Sequence, residues 1–437
     1  MQDGSGQRIG LGSRVSVDPL EPLILYAQWA TWSDPSAFTW EETEEIIITG
    51  YTGTDEVLVI PEEINGKPVG KIRAGAFQNC SADSVVLPKS VRIVEKGAFS
   101  NGQLSELTLF DSIEWISDES FLNCGNLETI HINAIEPPYG YEYRRESVLA
   151  DKMDFLITHQ GQRKLVFYGG CSMWYNLDGP YAQYEVGDSY RVINMGLNGV
   201  INSAVQMELI TQFLEPGDVF FHTPELSSQT QLMTVTGFGE QDRKLWCGLE
   251  YNYDLVGLLD LREFPGLLDS FRFWLEGKQG SGNYSDAYRD EQGRDYLDAM
   301  GGIPFHRERG DPSPADAVLL DPGFLQPESM KRLENSYARI QEKGVTVYVS
   351  YACVNLDAVP VEQQGNVQKM DQAFSAHIAG MEGVTLISHL EDYIYHNDDF
   401  YDTNYHLLTR PAQENTARWL RDLRAQMERD GIWEPDK

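Results

Sequence analysis

Apolar and polar positions along the chain follow two different rhythms. Between about Trp40 and Pro137 the apolar residues recur at a long, constant step. Phe77, Phe99 and Phe121 stand 22 residues apart, and Ile72, Val94 and Ile116 keep that step ahead of them. Gly-Ala-Phe at 75–77 and 97–99 and Glu-Ser-Phe at 119–121 form the cores of the units. Asn79-Cys80, Asn101-Gly102 and Asn123-Cys124 follow them, and each unit then yields a short apolar strand: Val85–Leu87, Leu107–Leu109, Ile130–Ile132. A unit this small cannot bury its own apolar face, so the copies must stack and share one core. The step therefore predicts a solenoid over residues 41–137.

From Ile135-Glu136-Pro137-Pro138 onward the rhythm changes to alternating strand and helix periods. The pattern predicts a helix over 141–157, then a fully apolar strand, Leu165-Val166-Phe167-Tyr168, ended by Gly169-Gly170. Further strands are expected at 190–199, 219–225, 345–351 and 384–387, with helices over 200–214, 327–342, 362–380 and 411–427. Such alternation means a parallel sheet with right-handed crossovers. Residues 226–320 fit it poorly, and Gly277–Gly302 is rich in glycine and charge, so this interval is expected to be an insertion or lid. Three regions result: a linker over 1–40 with one apolar run at Leu23–Trp29, repeats over 41–137, and an α/β domain over 138–437.

Polar residues cluster where the predicted strands end, the edge at which open α/β sheets place their ligands. Ser172 follows the first strand, Asn198 and Gly199 the second, and His222 to Glu225 end the third. Ser172 is open to two readings, a cap of the following helix or a nucleophile. A loop at 398–408 adds Asp402 and His406. A serine hydroxyl attacks poorly until an imidazole takes its proton, and the imidazole needs a carboxylate to hold its tautomer. Ser172, His406 and Asp402 supply those three types.

Charge narrows the partners. Thirty-four Lys+Arg against 67 Asp+Glu give −33, and the pI is near 4.5. Such a chain repels phosphate backbones and anionic lipid, so nucleic acid is excluded as a partner. No apolar run reaches the length of a membrane span, so no membrane insertion is expected in this segment. The five cysteines form no CxxC pair, which argues against metal-ligand spacing. His396, Asp398, Asp399 and Asp402 lack a second ligand cluster elsewhere, so neither metal nor cofactor is expected. The opening residues look like a cut inside a longer chain, which leaves the missing export signal without weight.

The 22-residue units, with Ile-Pro-Glu-Glu-Ile at 60–64 and Leu-Pro-Lys-Ser-Val at 87–91, resemble the BspA-like leucine-rich repeats of bacterial surface antigens. From Glu146 to the C-terminus the chain resembles the SGNH (GDSL-like) hydrolase superfamily. Gly169-Gly170-Cys171-Ser172 is similar to its first block, Asn194 to Gly199 to its second, and Asp402 to His406 to its last. Phe400-Tyr401-Asp402-Thr403 and Gly217-Asp218-Val219 are similar to a surface-associated bacterial branch. The resemblance implies a flavodoxin-like three-layer α/β/α parallel sheet. It further implies catalysis by Ser172, His406 and Asp402, an oxyanion hole from Ser172, Gly199 and Asn198, and a pocket including Glu225, Gly196 and Thr223. Three departures stand out: Cys171 where the family has Asp, His222-Thr223-Pro224-Glu225 where it has Gly-x-Asn-Asp, and an acid-to-base spacing of four residues. The expectation is an extracellular or cell-surface serine esterase or acyltransferase without cofactor. Its expected substrate is an O-acyl, chiefly O-acetyl, group of a glycan or cell-wall polymer. The alternative is an adhesion or scaffold protein with a degenerate domain, its repeats holding a protein or glycan ligand.

Overall fold

The computed structural model describes residues 32–133, 148–197, 201–226, 240–250, 252–278, 297–304, 306–308 and 317–433. They form two compact units. The Leu23–Trp29 run and the Gly-rich stretch at 279–296 lie outside the described residues.

The first unit contains the repeats. One parallel ladder joins Val57–Val59, Ser84–Val86, Glu106–Phe110 and Thr129–Asn133 in that order. A second carries Ile46–Tyr51, Lys67–Ile72, Ile93–Val94 and Trp115–Ile116. Ile72 pairs with Val94 and Val94 with Ile116, so the sequence step becomes the register of the ladder. Inside, Phe77 stacks on Phe99 at 4.9 Å and 3°, and Phe99 on Phe121 at 5.3 Å and 6°. Asn79, Asn101 and Asn123 all have positive φ, 61°, 57° and 61°. Asparagine tolerates this left-handed backbone better than other side chains, which explains its recurrence at the turn.

Residues 240–250 and 252–278 belong to this unit too. A turn at Tyr253–Leu258 packs against the edge strand Thr129–Asn133, and Leu261 N–H donates to Glu128 O at 2.8 Å. Leu255, Val256, Leu259, Leu261 and Phe264 are buried there. The interval expected as one insertion on the sheet domain is therefore divided. Its apolar middle covers the last repeat, whose edge strand would otherwise present unpaired backbone and apolar surface.

The second unit is a five-stranded, wholly parallel sheet: β1 (Lys164–Gly169), β2 (Arg191–Asn194), β3 (Val219–Thr223), β4 (Thr346–Val349) and β5 (Val384–Leu386). Their spatial order, β2-β1-β3-β4-β5, is the flavodoxin-like doubly wound order. Every residue of β1 and β3 is buried, as a parallel sheet covered on both faces requires. The helices are α1 (Val148–Thr158), α2 (Cys171–Asn176), α3 (Gly179–Val186), α4 (Ser203–Gln212), α5 (Pro327–Glu342), α6 (Val367–Ala379) and α7 (Thr409–Arg429). α4 packs on α1 and α5, while α7 packs on α2 and α3. Residues 173–188, which show no period in the sequence, form α2 and α3, the latter capped by Asp178 accepting from Tyr181 N–H at 3.0 Å.

At the amino edge of the sheet Lys164 is fully buried. Its ammonium lies 2.6 Å from Glu215 and 3.1 Å from Asp218. Asp218 also accepts from Lys164 N–H at 2.7 Å and Glu215 N–H at 2.9 Å. The Gly217-Asp218-Val219 motif thus ties β1 to β3 at the end away from the strand-end serine.

Candidate active site

β1 delivers Ser172 through two glycines. A Cβ on Gly170 would lie 2.3 Å from Glu225 Oε1, so any larger residue there would displace that carboxylate. Gly170, not Ser172, occupies the N-cap of α2. Ser172 sits in the first turn, fully buried, and its Oγ has no hydrogen-bond partner among the described residues. The capping reading of Ser172 is thereby removed. Its backbone N–H donates to Glu225 Oε1 at 3.0 Å. Because β1 and β3 flank the switch point of this strand order, both residues stand where such sheets bind ligands.

α2 also holds the loop that carries Asp402 and His406. Asn176 donates to Tyr405 O at 2.8 Å and accepts from Leu407 N–H at 2.8 Å, bracketing His406. The loop closes on itself through Tyr401 N–H to His406 O at 2.8 Å. His406 Nδ1 lies 2.6 Å from Asp402 Oδ1, with His406 buried and Asp402 46% exposed. Donation of Nδ1–H to Asp402 makes Nε2 the basic nitrogen. The Tyr175 ring stacks flat on His406, 3.5 Å between centroids and 4° between planes. Ser172 and Tyr175 are three residues apart on α2, neighbours on a helix surface.

Arg307 completes the assembly. It is buried, donates from Nε to Leu407 O at 2.9 Å and from Nη2 to Tyr175 O at 2.6 Å, and lies 5.5 Å from the Tyr175 ring centre. Burial holds its guanidinium below the usual arginine range. Neither Arg307 nor Tyr175 nor Asn176 is marked by spacing or motif in the sequence, because each acts through a partner 100 or more residues away.

The remaining expected residues divide. Asn198 and Gly199 lie outside the described residues. Gly196 presses on α2, where a Cβ would meet Trp174 N at 2.3 Å. Asn194 holds this approach, accepting from Gly196 N–H at 2.9 Å and donating to Met173 O at 3.2 Å. Buried Lys152 in turn donates to Asn194 O at 3.0 Å and Gly301 O at 2.7 Å, and burial pushes its pKa far down. Thr223 ends β3 opposite Gly169, buried, with its Oγ1 unpartnered among the described residues. His222 bonds Tyr337 through Nδ1 at 2.7 Å, and burial pushes its imidazole down to about 3. The acidic loop is split, since His396 bonds Asp357 at 3.0 Å while Asp402 serves His406. Among the described residues no group of three His, Cys, Asp or Glu is placed to hold a metal.

A cavity of about 30 Å³ lies against Glu225, walled by residues that include Leu320, Tyr351, Cys353, Leu390 and Tyr405. A larger one, about 310 Å³, lies between α3 and α7 and touches none of the residues above. The small cavity is the one that adjoins Glu225, the partner of the Ser172 amide.

Stacked repeats and a doubly wound parallel sheet with a polar cluster at its switch point define a repeat protein that carries an α/β domain. Residues 67–142 match the family of the BspA type Leucine rich repeat region (6 copies), so this stretch is a BspA-type repeat region. Repeats of this type are typical of bacterial surface proteins. Comparison with solved structures matched two to parts of the chain. The T. pallidum Leucine Rich Repeat protein is 20% identical, with 23% of this chain and 71% of that chain covered and a TM-score of 0.17. A candidate platelet activating factor from Streptococcus pneumonia is 11% identical, with 64% and 92% covered and a TM-score of 0.30. At these scores neither likeness bears on the site. No curated protein matches the chain.

Proposed function

We propose that the second unit is an SGNH-type serine esterase or O-acyltransferase acting at the bacterial surface on O-acyl groups of a glycan or cell-wall polymer. The observation that carries this reading is the 2.6 Å bond between Asp402 and His406, on a loop that Asn176 ties to the helix bearing Ser172. In the first half-reaction Ser172 Oγ attacks the ester carbonyl while His406 Nε2 takes the hydroxyl proton. The proton then passes to the departing alcohol as the C–O bond breaks, leaving an acyl-serine. Water, or a sugar hydroxyl in the transferase case, gives up a proton to His406 and releases the acyl group. Asp402 holds the imidazole tautomer throughout. No step calls for a cofactor.

The test is labelling by a fluorophosphonate probe. Wild type is expected to label, and Ser172→Ala to lose the label without losing its fold. His406→Ala should lower hydrolysis of p-nitrophenyl acetate by at least ~10³-fold. A second reading, a surface adhesion or scaffold protein whose domain binds without turnover, is favoured by one observation. Glu225 occupies the Ser172 N–H that an oxyanion would use, and losing one such donor costs ~10²–10³ in rate. Absence of labelling in folded wild type would decide for that reading.

A further inference from the structure

The larger cavity, about 310 Å³, lies between α3 and α7, apart from Ser172, Asp402 and His406. From α7 it is walled by Ala417, Leu420, Arg421, Arg424, Ala425 and Glu428. These positions recur three and four residues apart, so they form one stripe along the helix. At 1.5 Å per residue the stripe is about 16 Å long. Spread over that length, the volume has a cross-section of roughly 20 Å², a channel for one extended alkyl chain. The volume also equals about ten units of roughly 30 Å³, the share of a water molecule and close to that of a methylene group.

Donors gather at Trp433, which closes the cavity and is 9% exposed. Its indole N–H has no hydrogen-bond partner among the described residues. The Arg424 guanidinium lies over the ring at 4.9 Å, and Tyr190 stacks on it at 6.1 Å and 19°. Those contacts use the faces of the indole and leave its edge, which carries the N–H. Arg424 itself is paired with Glu428 at 3.4 Å, with the two side chains 45% and 55% exposed. Such a solvent-screened pair is weak and yields to a better acceptor. Glu185 and Glu428 share the walls and disfavour a dianionic head, so a single carboxylate suits the site better than a phosphate. From this arrangement we infer that the channel between α3 and α7 binds an unbranched fatty-acid-type monocarboxylate. The carboxylate accepts from the Trp433 N–H and Arg424, and the chain runs along Leu420 and Val186. This site is independent of the hydrolase reading.

The experiment titrates the full chain calorimetrically with decanoate, octanoate and hexanoate, each below its micelle concentration. One decanoate is expected to bind per chain, and each loss of two methylenes should weaken binding roughly 10-fold. Decanol, which lacks the charge, should bind at least ~10-fold more weakly than decanoate, and Trp433→Phe should narrow that gap. Ala425→Trp fills the channel from a half-buried position and should abolish binding at unchanged circular dichroism. No saturable decanoate binding by wild type, or binding indifferent to chain length, overturns the inference. So does undiminished binding by folded Ala425→Trp. Equal affinity for decanol overturns the carboxylate. Flotation with phosphatidylcholine vesicles that decanoate does not displace overturns the free acid as the ligand. The wild-type series decides even where Ala425→Trp fails to fold.

Discussion

At the scale of single residues, burial decides what a polar group is for. Asp218 and Lys164 are both buried and hold β1 to β3. Asp218→Ala leaves the Lys164 ammonium with Glu215 and the Gln162 carbonyl but without its buried carboxylate, and the expected loss is about 3–5 kcal/mol, read as a lower urea midpoint at unchanged m-value. His222 offers a pH test. Its imidazole, pushed down to about 3 by burial, stays neutral in the fold, while the unfolded chain takes up a proton near pH 6.5. The unfolded state binds more protons between those values, so stability is complete above pH 6.5 and falls as pH drops, by up to about 1.4 kcal/mol per unit. Melting temperature followed from pH 7 to 4.5 should therefore fall more steeply in wild type than in His222→Gln. Equal slopes would remove His222 as the source.

Elements matter through what they hold in place. α2 is six residues long, yet it supplies Ser172, the Tyr175 ring under His406 and the Asn176 clamp on the loop. Arg307 joins the same loop to the same helix, which makes it a positioning residue for His406. Arg307→Met keeps much of the volume and removes both donors. On the proposed hydrolase reading, the expected outcome is a fall in kcat of ~10²-fold with KM little changed. The His406-dependent acid limb should shift upward, because a cation has left its neighbourhood. A variant with wild-type kcat and pH profile would reduce Arg307 to packing. The Asp402–His406 spacing of four residues belongs to this scale as well: it spans a closed loop, not one face of a helix.

At the scale of the molecule the two units are interleaved along the chain, since residues 240–278 return to the repeats after β3. A fragment beginning at residue 142 would carry Leu255, Val256, Leu261 and Phe264 without the strand Thr129–Asn133 that Tyr253–Leu258 packs against. It should aggregate or express poorly in size-exclusion chromatography compared with the full chain, despite the acidic composition. A monodisperse, soluble fragment would show that this segment does not depend on the repeats.

The sequence by itself determined what periodicity encodes. The 22-residue step specified the ladder register and the phenylalanine stack, because a unit unable to bury its own face has no other arrangement. Strand–helix alternation likewise specified five parallel strands, while their order in the sheet came from the structure. It also offered Ser172 after a strand end and Asp402 and His406 on one loop as candidates, since residue types and short spacings are local features. Only the tertiary structure decided the rest. It assigned the middle of the 226–320 interval to the repeats and found α2 within a stretch that lacks a period. It also recruited Arg307, Tyr175 and Asn176 and set Glu225 on the Ser172 amide. Each of these depends on a contact between residues far apart in the chain, and such contacts leave no spacing for a sequence to display.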